Sequence, residues 1–465
     1  MSILIKNGNA VSSETVFKTD ILISGEKILK IGDIAEQEVS RLCPDDPLET
    51  VTDASGKYIF PGFIDAHTHF DLHVAGTVTC DDFYSGTKAA VAGGTTTIID
   101  FASAYKGESL MEGLLNWKKK AEKGCSCDYS FHMSFSEWNE DRSKECEEMI
   151  KEGITTFKVY MTYADKLDDK SIYEILVRLK ELGAITGCHC ENSGLTDALR
   201  EEYASDERSR LVSSHYKTRP CAAEAEAINR LLYLAFVAGA DVIDVHLSCE
   251  EGLKEIRRAR NRGQKVYVET CPHYLLLDSS KLDSKDFSGA EFVCAPPLRT
   301  KHDNEVLWKA LADGEIQTVA TDHCSFTREQ RLLGKDDFRK IPGGLNGVEL
   351  RGILMFSEGV KKGRISPEKM CELCSENPAK LYGLFPEKGI IAEGSDADIV
   401  IIDPEASYTI RVSNQISRAD YSNYEGLCVQ GRIEKVLLRG ELVAENGRVV
   451  SENRGRFLKR GKYSL

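Results

Sequence analysis

From Pro61 to about Gly383 the chain alternates between two textures, and that alternation most constrains its fold. Short β-branched apolar runs recur: GTTTIIDF, TTFKVYM, DVIDVHLS, KVYVETCP, IQTVATDH. Amphipathic helical text such as SIYEILVRLKELG lies between several of them. Strands that take turns with helices build parallel sheets, because a parallel pair needs a long crossover and a helix supplies it. Roughly eight such units over some 320 residues fit a (β/α)8 barrel with insertions. The two ends read differently. ILIKNGNAV and ILISGEKILKIG near the start, and SDADIVIID and VLLRGELVAENGRVV near the end, are strand text punctuated by turn residues. The sequence therefore predicts an α/β protein with a barrel over 56–389. A small flanking β-sandwich is expected from 1–55 plus 390–465. The basic tail NRGRFLKRGKYSL is expected to reach over a neighbour or pack on the surface.

At 465 residues the chain exceeds what one core can organise, so more than one unit is expected. Its formal net charge of -14, with no basic run beyond Lys118-Lys119-Lys120, argues against nucleic acid and against an anionic membrane surface. No stretch of about 18 apolar residues occurs, and the N-terminal MSILIKNGNAV lacks the apolar core of a secretion signal. Fifteen cysteines, scattered and odd in number, fit a reducing cytoplasm rather than a disulfide framework. Cys125/Cys127 and Cys371/Cys374 lack a second half at zinc-finger spacing and read as structural.

Chemistry gathers at the strand ends. In FIDAHTHF, His67 and His69 lie two apart and so face the same way, with Asp65 in register to join them. Such a pair alone is a weak metal signal. TTFKVYMTY sets Lys158 inside an apolar strand, where an unpaired ammonium is costly. ITGCHCEN, DVIDVHLSCE and VATDHCSF place His189, His246 and Asp322 at further strand ends. Metal-type ligands at five strand ends of one barrel converge on its C-terminal mouth. The remaining histidines, His132, His215, His273, His302 and His323, read as packing or supporting groups, and Cys188 and Cys190 alternate away from His189.

These residues, with GGTTTIIDF, FKVYMTY, HCEN, CPHYLLLD, PPLR, TDHC and GSDAD, resemble the cyclic-amide branch of the amidohydrolase superfamily. The match runs nearly end to end and is similar to the hydantoinase and dihydropyrimidinase group. The resemblance implies two divalent metal ions per chain, most often zinc. His67, His69 and Asp322 would hold one, and His189 and His246 the other. Lys158 would carry a carbamate made from carbon dioxide (N6-carboxylysine) that bridges both. The implied reaction is attack of a metal-bridging hydroxide on a ring amide. Asp322 would shuttle the proton, and Tyr163 would donate to the developing oxyanion. A homotetramer is implied as well.

Dihydroorotases carry an Arg just after the His pair, to grip a substrate carboxylate. Here the text is Phe70-Asp71-Leu72-His73, which argues against that substrate. Phe70, Leu72 and Tyr160 suggest a rim that accepts an apolar ring substituent, and His73 shares the loop. The resemblance places ring recognition at Ala295, where relatives often have Ser, and at Gly343, where they often have Asn. The implied substrates are 5-substituted hydantoins opened to N-carbamoyl amino acids, with dihydropyrimidines as the alternative. Allantoin, or loss of catalysis in favour of an interaction role, ranks below these.

Overall fold

The computed structural model describes residues 2–122, 124–284 and 286–465. Eight strands form one parallel sheet: β1 (Phe63–Thr68), β2 (Thr95–Ser103), β3 (Asp128–Ser134), β4 (Thr156–Tyr160), β5 (Ile185–His189), β6 (Val242–Asp244), β7 (Val266–Thr270) and β8 (Thr318–Val319). They are hydrogen-bonded in sequential order from β1 to β8. Both faces of these strands are covered, and β1 and β3 are buried at every residue, their polar side chains included. A parallel bridge between Thr68 and His323 returns the sheet to its first strand, closing a (β/α)8 barrel.

The helices on the outside follow from their spacing. In Asp169–Leu182 the buried residues are Ile172, Ile175, Leu176 and Leu179, one stripe of a helical wheel. The Asp168 carboxylate caps its start by accepting from Ser171 N at 2.8 Å, and Gly183 ends it at φ 69°, where a Cβ would be strained.

Both chain ends contribute to a second, nine-stranded sheet. Its joint is the antiparallel pairing of Tyr58–Pro61 with the start of Ile399–Thr409. An ionic knot ties this sheet to the barrel: Lys388 Nζ lies 2.9 Å from Asp128, 3.0 Å from Asp396 and 2.8 Å from Asp398, all but out of solvent. The C-terminal tail packs against its own barrel. Leu458 N donates to Tyr129 O at 2.8 Å, and the buried Arg460 guanidinium donates to Ser130 Oγ at 2.9 Å and to Phe131 O. Leu458, Tyr463 and Leu465 then cover the apolar layer of Ile64, Ile185, Ile243 and Tyr382.

The seam between β1 and β8 is held by side chains as much as by backbone. Arg351 Nη1 donates to Ile64 O and to Val319 O, both at 2.8 Å, so one guanidinium spans the first and last strands. Asp65 accepts from Thr321 N at 3.1 Å and from Thr321 Oγ1 at 2.7 Å, and lies 3.7 Å from Arg351. Asp65 thus serves barrel closure and does not join His67 and His69, against the expectation from strand periodicity. Replacing Arg351 with Met would strand a buried carboxylate and two carbonyls. A loss of about 3–5 kcal/mol is expected, seen as a lower thermal midpoint in calorimetry. An unchanged midpoint would show that the seam does not depend on this residue.

Candidate metal centre

His67 lies next to last in the buried strand β1, and His69 follows just past its end, where its backbone N donates to His323 O at 2.8 Å. Asp322 stands across the seam. Its Oδ1 lies 3.1 Å from His67 Nε2 and 3.1 Å from His69 Nε2. One ligand atom from each of the three falls within 4.8 Å of the others, the spacing of a metal triad. His189 closes β5, and His246 lies just past β6; their ring centroids are 4.6 Å apart. The His246 ring is 5.4 Å from that of His67, so the second pair adjoins the first group. Phe101, from β2, lies flat against His69 at 4.9 Å and beside His67 at 4.5 Å as an apolar wall.

Lys158, in β4, is 1% exposed, and its Nζ has no hydrogen-bond partner among the described residues. Its charge acts on all four imidazoles, opposing protonation of His67, His69, His189 and His246, which places it centrally. Burial pushes the amine below its ordinary range, against the pull of Glu269 and Asp322. Burial likewise keeps His69, His189 and His246 neutral, the form that coordinates metal. For His67 burial opposes protonation, but the carboxylates of Glu269 and Asp322 raise its pKa to about 9. Burial also opposes ionisation of Asp322, and the two imidazoles overcome it, holding the carboxyl well below the usual range.

Three site residues adopt left-handed backbone without being glycine: Tyr163 (φ 70°), His246 (φ 48°) and Asp322 (φ 49°). Such conformations cost about 1–3 kcal/mol each and cluster at functional sites. Tyr163, 44% exposed in the mouth, sits 4.9 Å from His189, with Tyr160 at 6.2 Å from the same ring. Ala295 and Gly343 come together on adjoining segments: Gly344 N donates to Val293 O at 2.9 Å, and the Cβ that Gly343 lacks would fall 4.0 Å from Cys294 Cα. Leu72 and His73 lie outside the histidine cluster. Leu72 packs half-buried on the main core, and His73 is exposed on the small hairpin of His73–Val74 with Thr77–Val78. Phe70 is no rim residue: it is fully buried, 5.8 Å from Phe83, with its ring where a Cβ on Gly86 would fall.

The other histidines support the frame. His132 Nε2 donates to Ala66 O (2.9 Å) and its Nδ1 meets Thr156 Oγ1, His323 meets Asp81 at 3.2 Å, and His215 donates to Cys294 O at 2.7 Å. His273 is buried 4.2 Å from the Tyr274 ring, while His302 lies at the surface near Glu250.

Carboxylates outside the predicted set orient the imidazoles. Glu269, in β7, meets His67 Nδ1 at 2.6 Å, leaving Nε2 to face Asp322. Glu191 meets His189 Nε2 at 2.7 Å and is itself gripped by the buried Arg219, whose guanidinium sits 5.4 Å over the Tyr163 ring. The sequence carried a signal for both, an acidic residue within or just past an apolar strand (VYVET, GCHCEN).

A parallel barrel with this polar set at its C-terminal mouth defines an amidohydrolase, and the chain belongs to that family: the amidohydrolase family model matches residues 58–443. Within it the similarity is to proteins acting on cyclic amides. D-hydantoinase of Geobacillus stearothermophilus is 44% identical over 100% of this chain and 97% of its own length. D-phenylhydantoinase of Escherichia coli O127:H6 is 43% identical over 99% of this chain and 98% of its own. The crystal structure of dihydropyrimidinase from Brevibacillus agri NCHU1002 superposes with a TM-score of 0.96 at 42% identity, covering 100% of both chains.

The family implies divalent metal ions, and the residues present fit them. Imidazole and carboxylate donors converge, and Lys158 Nζ, His246 Nδ1 and Glu269 Oε2 are buried polar atoms with no hydrogen-bond partner among the described residues. Glu269→Gln keeps a hydrogen-bond partner for His67 but removes the charge behind it. Metal affinity is expected to fall about 10–100-fold, measured by competition with a chelator. Wild-type affinity in that variant would leave Glu269 a packing residue.

Proposed function

We propose that this hydrolase of cyclic amide C–N bonds is a binuclear enzyme that opens 5-substituted hydantoins to N-carbamoyl amino acids. The observation that carries the reading is Lys158: one buried amine, without a hydrogen-bond partner among the described residues, acting on four histidines and on Asp322. An ammonium there would repel dications. A carbamate, formed when the neutral amine adds to carbon dioxide and releases a proton, turns the same side chain into a bridging anion. His67, His69 and Asp322 would hold one ion, His189 and His246 the other, and N6-carboxylated Lys158 both; zinc suits these donors. When bound, the ions supply Lewis acidity, lowering the pKa of water toward neutrality and polarising the ring carbonyl.

The chain's own groups do the rest. Asp322, ionised in the site, takes the proton of the attacking water and returns it to the departing ring nitrogen. The Tyr163 hydroxyl donates to the carbonyl oxygen as negative charge builds there. Ala295 and Gly343 are the proposed backbone contacts to the ring. Tyr160, with Leu72 and His73 from the neighbouring hairpin, would meet its substituent. Phe70 drops out of that set because it is buried.

A second reading, dihydropyrimidine opening, is favoured by the likeness to the Brevibacillus agri dihydropyrimidinase. The same amide would then be cut in a six-membered ring. The two part on kcat/KM of the zinc-loaded protein for D-5-phenylhydantoin, its L enantiomer and 5,6-dihydrouracil. Preference for the D-aryl ring is expected; preference for dihydrouracil would replace the first reading with the second. Tyr163→Phe is expected to lower kcat about 10²–10³-fold with metal content unchanged. Lys158→Ala is expected to lose both metal and activity, and a variant that kept both would overturn the carbamate bridge.

We further propose a cytoplasmic homotetramer. All fifteen cysteines are free, as in a reducing compartment, and no described helix is long and apolar enough to cross a membrane.

A further inference from the structure

The segments that carry Ala295 and Gly343 share one buried cation. Arg331 ends the short helix Arg328–Arg331 and is 1% exposed. A guanidinium has five N–H groups, and all of them are used. Nη1 donates to Val293 O at 3.2 Å and to Pro342 O. Nη2 donates to Gly344 O and, at 2.9 Å, to the Tyr421 hydroxyl, which also accepts from Nε at 3.0 Å. Every acceptor is neutral, and no carboxylate among the described residues pairs with this guanidinium. A buried cation is costly unless it is paired or fully hydrogen-bonded. Here the compensation comes from backbone oxygens, which are fixed in place by giving it.

The oxygens bracket the residues that matter. Pro342 and Gly344 are buried with their carbonyls on Arg331, while Gly343 between them is half-buried. Cys294 and Pro296 are buried, while Ala295 between them is half-buried. Val293 O accepts from Gly344 N at 2.9 Å as well as from Arg331, so the guanidinium also fixes the two segments against each other. Gly343 N and both backbone polar groups of Ala295 meet no hydrogen-bond partner among the described residues. Hydantoins and dihydropyrimidines share one ring edge, an N–H between two carbonyls. Free backbone donors and acceptors held rigidly beside a pocket complement such an edge.

We propose that Arg331 is the positioning residue for ring recognition: it grips Val293, Pro342 and Gly344 by their carbonyls, so that Ala295 and Gly343 present their own backbone groups to the shared edge of the cyclic amide. The inference rests on reading Ala295 and Gly343 as the ring contacts. It does not depend on which of the two rings is preferred, because both carry the same edge. The bonds of Arg331 reach none of the metal-centre residues. Its loss therefore weakens the hold on the ring and leaves the metal in place.

The test uses the full-length, metal-loaded protein with D-5-phenylhydantoin and 5,6-dihydrouracil. In Arg331→Met, kcat/KM is expected to fall about 10²-fold for both rings, mainly through KM, with metal content per chain unchanged. Arg331→Lys, which keeps a cationic donor at the carbonyls, is expected to recover most of that loss. Tyr421→Phe leaves the guanidinium on its three carbonyls and is expected to raise KM for both rings by a smaller factor. It carries the test where Arg331→Met does not fold. Arg339→Ala is the control and should match wild type, since this exposed cation lies near Pro342 in sequence but pairs with Asp337 at 2.7 Å. Unchanged KM in a folded Arg331→Met, or in Tyr421→Phe where that protein does not fold, would overturn the proposal. So would metal lost in step with activity, or a fall in kcat at fixed KM. A wild-type preference for dihydrouracil would remove the hydantoin reading and leave this comparison standing, because either ring reports on it.

Discussion

The metal triad exists only because the barrel closes. His67 and His69 come from the first strand and Asp322 from beyond the last, so their meeting requires β8 to return to β1. Yet β8 is a two-residue strand, too short for a backbone ladder to carry the seam alone. Closure falls to the Thr68–His323 bridge, to Arg351 spanning Ile64 and Val319, and to Asp65 holding Thr321, the residue next to Asp322. A buried ion pair is a poor route to stability by itself, because desolvation opposes it. Here it fixes geometry: the carboxylate that closes the ring also fixes the backbone position from which the Asp322 carboxylate projects.

The left-handed backbone at His246 and Asp322 makes sense on the same terms. A strand that simply continued would alternate its side chains across the sheet. The turn into positive φ redirects a side chain at the strand end, and the surrounding hydrogen bonds hold the strained form in place. Charge is balanced in a comparable way. Burial keeps most of the imidazoles neutral and ready to coordinate, while Glu269 and Glu191 fix which ring nitrogen is left over. Arg219 then compensates Glu191, which meets His189, and supports the face of Tyr163, so one buried cation serves both residues at once.

The barrel was legible because buried parallel strands have nearly uninterrupted apolar text, in which a Lys or His stands out. Lys158, His189, His246 and Asp322 are visible for that reason, and the structure assembles them with the His67–His69 pair. Glu269 and Glu191 were passed over since their strand ends already held conspicuous residues or ordinary polar ones. For Asp65, period-two alternation gives the face but not the partner, which is Thr321 across the seam. Phe70 was misjudged because its loop context suggested a rim. Its place against Phe83 and Gly86 depends on the fold-back at Asp71 (φ 52°), which no local pattern announces. The path of the tail was open for a similar reason. Its basic residues suggest a surface, but Arg460 is buried against carbonyl and hydroxyl acceptors supplied by β3.

That tail ties the last residues of the chain to the chemistry at the barrel's other end. Leu458, Tyr463 and Leu465 cover Ile64, Ile185, Ile243 and Tyr382. Between that apolar layer and the histidine cluster lies a cavity of about 10 Å³, bounded by His67, Lys158, Glu269 and Tyr382. It has room for about one water molecule. Were the barrel open at its base, bulk solvent would reach Lys158 from below and screen its interactions with the imidazoles and carboxylates. With the base covered, Tyr163 at the C-terminal mouth stays exposed while Lys158 and the imidazoles of His67, His189 and His246 are buried. Fixed charges there act at low effective dielectric, where they are strongest. The residues that exclude water are far from the ligands in sequence, and they set the conditions under which the ligands work.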